Sequence, residues 1–325
     1  MRSAWIAAGL LGFGIVALTC PGRSRAETRH AKPGSATELH VLRPVSEQVG
    51  PPPTEAEARE AQLLALTDDP VFGRAELVHG SESKNVVAFT FDDGPNPDTT
   101  PRVLRALAKY DVPATFFIVT KNLDGAHAKR ARAVLQQQIA GGYTIGSHTQ
   151  HHARLELATS SKVLNDEIDD SIFKLAPEVG RVIGLFRPPY GKLSYKGQRR
   201  LAKLGLTEVR WSIDPRDWEA KDGPLLRKTI VSGILQNAGG IVLLHDVKAL
   251  TAEVIGHVFD DLEKENCRRL QRGRTPIIPV SLHYFLRETK DGLPRPVPET
   301  VQARTDAYRA ALPDRCQRRL RPRRR

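Results

Sequence analysis

From residue 84 onward, short apolar runs alternate with longer amphipathic stretches. Seven runs rich in β-branched and aromatic residues, at 86–91, 114–120, 143–146, 184–186, 208–213, 241–244 and 277–280, predict strands. The segments between them, at about 100–110, 126–140, 159–176, 195–204, 224–237 and 251–270, have the length and spacing of helices. Such strict alternation predicts crossover units and a parallel sheet, closed into a barrel or left open, and seven strands suit an imperfect barrel. The first run, Val86-Val87-Ala88-Phe89-Thr90-Phe91, stops abruptly at Asp92-Asp93-Gly94-Pro95. A strand buried on both faces has no reason to place carboxylates in the core. Asp92 and Asp93 are therefore expected to emerge at its carboxyl end, where barrel enzymes keep their chemistry.

The flanks read differently. Arg2, the apolar stretch 4–18 and Ser24-Arg25-Ala26 have the order of a signal peptide, so residues 1–26 predict export to the periplasm or the exterior, with a mature chain from Glu27. The apolar run is short for a retained membrane anchor. A lipoprotein at Cys20 is poorly served by Ala17-Leu18-Thr19. Residues 27–83 read as a Pro- and Ser-rich linker with one short helix, started by a Thr54/Glu57 capping box and running to about Leu66. Residues 84–286 form the catalytic-sized domain. Residues 287–325 are a Pro-containing extension with one helix at 299–312 and an Arg-rich tail.

Charge changes the picture less than the sequence pI of about 9.8 suggests. Seven arginines fall within 315–325, and residues 27–314 carry 39 basic against 37 acidic side chains. The folded part therefore gives no ground for a nucleic-acid binder. The tail is expected to lie disordered against an anionic envelope surface or to do nothing specific. Beyond Cys20, the two cysteines Cys267 and Cys316 permit one disulfide in an exported chain, and neither has a Cys-x-x-Cys partner for redox work.

Four further stretches sit at the ends of strand candidates. His148 and His152 are four apart, so on a helical turn both imidazoles would face one way, as two ligands of a divalent metal do. With one carboxylate they make a three-ligand site, either a hydrolytic zinc or a non-haem iron site. In Phe186-Arg187-Pro188-Pro189-Tyr190-Gly191, the arginine can hold a carboxylate ionised and directed, and the stiff turn can aim a backbone N–H at an oxyanion. Trp211-Ser212-Ile213-Asp214-Pro215-Arg216-Asp217-Trp218 supplies a carboxylate and aromatic walls. His245, at the end of Ile241-Val242-Leu243-Leu244, can meet a neighbouring carboxylate and act as a proton donor.

Together these stretches, TFDDGP, HTxxH, RPPY, DxxDW and LLHD, resemble the five motifs of the polysaccharide deacetylases of the NodB-homology type, carbohydrate esterase family 4. The resemblance spans about 84–286. It implies a distorted (β/α)7 TIM-like barrel with Asp93, His148 and His152 as ligands of a divalent metal, Zn2+ in most members, with Co2+ or Mn2+ as alternatives. It implies Asp92 as general base directed by Arg187, the Tyr190 backbone N–H at the oxyanion, and His245 as general acid supported by Asp217. Leu243 and Trp218 would shape the acetyl pocket. The implied activity is removal of N-acetyl groups from an N-acetylglucosamine polymer, peptidoglycan or chitin-like, by a monomer. The alternatives are O-deacetylation of a glycan such as acetylxylan and a catalytically idle glycan-binding envelope protein. The family often has Asn and Pro around the second histidine, where His151 and Ala153 stand here.

Overall fold

The computed structural model describes residues 52–73, 76–80, 83–158, 160–286 and 298–320. The signal-peptide and linker expectations for 1–51 lie outside these residues. The sheet grows around β2 (Val86–Asp92), a seven-residue strand whose alternate side chains have different jobs. Val87, Phe89 and Phe91 point outward under the helices, where Phe89 meets Phe259 edge-on at 5.0 Å and Phe91 stacks on Phe116 at 5.2 Å. Ala88, Thr90 and Asp92 share the opposite, inward face, since strand side chains alternate.

The other strands, in chain order, are β1 (Leu77–Val78), β3 (Ala114–Ile118), β4 (Thr144–Ser147), β5 (Leu185–Phe186), β6 (Thr207–Val209), β7 (Gly239–His245) and β8 (Ile278–Pro279). All pairings are parallel, in the order β1-β6-β5-β4-β3-β2-β7, with β8 pairing the first two residues of β2. A bridge between Ile213 and Val242 brings the segment after β6 against β7. The sheet is thus a curled, distorted barrel. The seven expected strands are present. An eighth, β1, escaped the pattern because two residues are too few to show a period.

Helices α1 (Glu55–Thr67), α2 (Thr100–Tyr110), α3 (Ala128–Ala140), α4 (Ser161–Leu164), α5 (Asp170–Val179), α6 (Tyr195–Lys203), α7 (Gly223–Asn237), α8 (Ala249–Gln271) and α9 (Glu299–Leu320) accompany the sheet. The capping box expected at Thr54 and Glu57 forms. The helix expected over 159–176 is instead α4 and α5 joined by a π turn at Asn165–Asp169.

The C-terminal extension departs most from expectation. The helix expected at 299–312 continues through Pro313 to Leu320. Proline removes one N–H from the ladder and crowds the carbonyl four residues back, and packing outweighs that cost. Tyr308, Leu312 and Cys316 are buried, Cys316 is bonded to Cys267 of α8, Arg315 pairs with Asp111 and Glu263, and Arg319 pairs with Asp260 and Glu263. Two tail arginines thus serve the fold rather than an envelope surface, and residues 321–325 lie outside the described residues. The disulfide closes a loop with a sequence separation of 49. Replacing Cys316 by Ser is expected to lower unfolding stability by about 2–4 kcal/mol. Urea titration of oxidised wild type against the variant checks this, and coincident midpoints would refute it.

Candidate active site

At the carboxyl ends of β2, β4, β5 and β7 the side chains singled out in the sequence converge. Asp92 stands at the carboxyl end of β2 as expected, but it stays buried. It is 2% exposed and points into the barrel, because Arg187, entirely buried, rises from the end of β5 to meet it. Arg187 Nη1 donates to Asp92 Oδ1 at 2.8 Å and to Thr90 Oγ1 at 2.8 Å, while Nε and Nη2 donate to the carbonyls of Val209 and Arg210. The guanidinium lies between the rings of Phe117 (4.2 Å) and Trp211 (5.6 Å). A buried charge is tolerated only when paired and hydrogen-bonded in this way. Burial raises the Asp92 carboxyl above its ordinary value, and the charges of Arg187 and His245 oppose that rise.

Oδ1 being engaged, Asp92 Oδ2 faces His148 Nε2 at 3.7 Å. Asp93 turns away from its neighbour because its backbone is left-handed (φ 75). Asn122 Nδ2 secures that turn by donating to the carbonyls of Asp93 and Gly94. A side chain at Gly94 would collide with the Asp246 carboxylate, so the turn requires glycine. Asp93 Oδ1 then lies 3.6 Å from His148 Nε2 and 3.3 Å from His152 Nε2.

The two imidazoles do converge, but not on a helix. Residues 148–152 form a tight loop with positive φ at Thr149 (71) and His152 (61), held by a hydrogen bond from His152 N to Thr149 Oγ1 at 2.9 Å. The convergence expected from helical spacing is produced by a loop instead. His148 Nδ1 donates to the Arg187 carbonyl at 2.7 Å, which fixes the tautomer and leaves the Nε2 lone pair facing Asp93. Burial pulls the imidazole down to about 3, so it is neutral, as a ligand must be. His151 faces away and bonds Glu167 at 3.0 Å.

One ligand atom from each of Asp93, His148 and His152 fits within 4.8 Å of the others. Asp93 Oδ1 is buried without a hydrogen-bond partner, a cost that a cation would relieve. Two imidazole nitrogens and one carboxylate oxygen suit a divalent metal with open positions. The residues fit such an ion.

On the far side, β7 aligns His245 with Asp92 in register on the neighbouring strand, about 4.8 Å away at parallel spacing. Asp217 accepts from His245 Nδ1 (2.7 Å), His245 N (2.8 Å) and Thr251 Oγ1 (2.6 Å), leaving His245 Nε2 as the nitrogen available to a substrate. Burial works to lower this imidazole, but the hydrogen bond and charge of Asp217, with Asp92 and Asp93 behind it, outweigh that and hold it up at about 9. Tyr190 sits left-handed (φ 59) in its turn, its ring 5.0 Å from that of His152. Leu243 is buried, and Trp218 is 47% exposed beneath the Arg216 guanidinium. Sequence reasoning missed Thr90 and Thr251, and it read Trp211 as an aromatic wall rather than as a face for the Arg187 guanidinium. Each acts through a partner distant in the chain, and no local pattern marks that.

The profile of the polysaccharide deacetylase family matches residues 79–209. A chitooligosaccharide deacetylase of Sinorhizobium fredii is 36% identical over 162 residues, covering 49% of this chain and 71% of that protein. The peptidoglycan-N-acetylglucosamine deacetylase of Listeria monocytogenes is 26% identical over 236 residues and covers 70% of this chain. This chain spans about half of that relative's length (47%). A crystal structure of a peptidoglycan N-acetylglucosamine deacetylase superposes with a TM-score of 0.55 at 24% identity, covering 67% of this chain and 95% of the other, a likeness of fold. With the barrel and its five convergent motifs already in place, these matches show that the chain belongs to the polysaccharide deacetylase family.

Proposed function

We propose that this protein hydrolyses N-acetyl groups on an N-acetylglucosamine-containing polysaccharide, peptidoglycan or chitin-like, releasing acetate and a free amino sugar. One observation carries the reading: a buried, arginine-held carboxylate and a carboxylate-held histidine stand on neighbouring strands, with a three-ligand site beside the carboxylate. A divalent cation held by Asp93, His148 and His152, Zn2+ in the first instance with Co2+ or Mn2+ as substitutes, would supply Lewis acidity to the amide carbonyl and to the attacking water.

The chain's own groups do the rest. Asp92 Oδ2 takes the proton of the attacking water, its direction fixed by Arg187 on Oδ1. The new C–O bond forms as the carbonyl oxygen gains charge, and the Tyr190 backbone N–H would receive that charge. Protonated His245 delivers its Nε2 proton to the nitrogen as the C–N bond breaks, and Asp217 stabilises the imidazolium. Leu243 and Trp218 form the apolar wall for the acetyl methyl. Acetate release measured side by side on peptidoglycan fragments, chitooligosaccharides and acetylxylan tests the reading. Turnover of acetylxylan alone would replace it with ester hydrolysis, and no turnover of any of the three would leave a glycan-binding role.

A general acid held up at about 9 stays protonated at neutral pH and is lost as pH rises through that value. The alkaline limb of kcat/KM is therefore expected to belong to His245, and Asp217→Asn, which removes the upward influence, is expected to move it to lower pH. Full pH profiles of both proteins check this. An unmoved limb would assign it to another group.

Export is part of the proposal. The chain's disulfide suits an oxidising compartment, and no helix among the described residues is long and apolar enough to cross a membrane. We take the acting unit to be a monomer that meets its polymer directly.

A further inference from the structure

A second feature lies on the flank of the barrel. Between α1, α4 and α6 runs an open groove of about 550 Å3 lined by Lys196, Arg199, Arg200 and Lys203, with Glu60 as its one carboxylate. Glu60 is held by Arg200 through two bonds, at 2.7 and 2.8 Å, and by Lys203 at 2.9 Å. Arg200 also holds Asp169, so its charge is spent within the fold. Arg199 lies over the ring of Tyr195, which is 72% exposed, and makes no ion pair among the described residues. The groove thus already seats one carboxylate between an arginine and a lysine, and carries further positive charge beside it.

Its position relates it to the active site. Helix α6 begins five residues after Tyr190, so its first turn lies within about 18 Å of the oxyanion turn even for a fully extended chain. Ser194 N donates to the carbonyl of Leu155, which fastens that first turn to the segment following His152. From Lys196 to Lys203 the positive stripe descends about 10 Å, the length of roughly three residues of extended peptide.

We propose that this groove receives the carboxylates of an acidic peptide carried by the glycan, so that the preferred substrate is an anionic, peptide-bearing polymer rather than a neutral one. The proposal rests on the deacetylase reading and narrows it. Carboxylates are the chemistry the groove's arginine and lysine already bind in Glu60, and paired planar donors favour them.

The test uses the full exported chain and an R199E/K203A double variant, both positions being exposed and remote from the catalytic groups. Substrates are a chitooligosaccharide and a glycan fragment of equal length bearing acidic peptides. The variant is expected to raise KM for the peptide-bearing fragment about 10-fold with kcat retained, and to turn over the neutral oligomer as wild type does. Added salt should raise the wild-type KM for the acidic fragment alone. Equal kinetics of the two proteins on the acidic fragment would overturn the groove while leaving the deacetylase reading intact. So would a defect confined to binding of phosphatidylglycerol vesicles. Should neither glycan release acetate, the deacetylase reading fails. Fluorescence anisotropy with the labelled acidic fragment then decides the groove, which loss of binding in the variant supports and equal binding overturns.

Discussion

Replacing Asp92 by Asn is expected to lower kcat for acetate release by about 10³-fold, within the range that a positioned general base contributes, while the cation remains bound. The substitution keeps the shape and the oxygen that accepts from Arg187 but removes the site for the water's proton. The proposed ligands Asp93, His148 and His152 are untouched, so metal content by atomic emission should match wild type. Asp92→Ala should be worse for a second reason. Arg187 would keep its bonds to Thr90, Val209 and Arg210 but lose its counter-charge inside the barrel. Stranding one partner of a buried pair costs about 3–5 kcal/mol. Comparing the two variants by urea unfolding and by kcat separates the catalytic loss from the structural one. An Asn variant that retains wild-type kcat would remove Asp92 from the role of base.

Loss of the cation is expected to be the other large effect. Exhaustive chelation should reduce acetate release more than 100-fold, and stoichiometric zinc, cobalt or manganese should restore it. His148→Ala should not be restored at the same metal concentrations, because it removes one of the three proposed ligands together with the anchor to the Arg187 carbonyl. Isothermal titration calorimetry provides a readout independent of turnover, with affinity expected to fall by at least 100-fold in the variant. Unaltered affinity, or full activity after chelation, would dissociate the three-residue cluster from the reaction. Mutating His151 serves as a control. It bonds Glu167 outside the cluster, so His151→Ala should leave metal affinity unchanged.

Much of the architecture was legible because its causes are local. An apolar run such as 86–91 reads as a buried strand, and the alternation of seven such runs with amphipathic segments reads as parallel crossover units. The abrupt arrival of Asp92, Arg187 and His245 at the ends of those runs marked the face on which chemistry would lie. What stayed hidden involves partners distant in sequence. The two-residue β1 exists only because β6 offers an edge. The last turns of α9 run through Pro313 because the disulfide and the Arg315 and Arg319 ion pairs hold them against α8.

By itself, then, the chain's order of residues determined the strand and helix succession and which side chains crowd one end of the sheet, since hydrophobic period and abrupt charge are properties of neighbours. Tertiary structure alone decided that Asp92 turns inward onto Arg187 while Asp93 turns to the histidines. That division depends on a left-handed residue, an inward strand face and a guanidinium arriving from 95 residues away. Two adjacent carboxylates are chemically alike on paper, and only the three-dimensional surroundings, one buried and paired with a cation, the other left without a donor, give them different work.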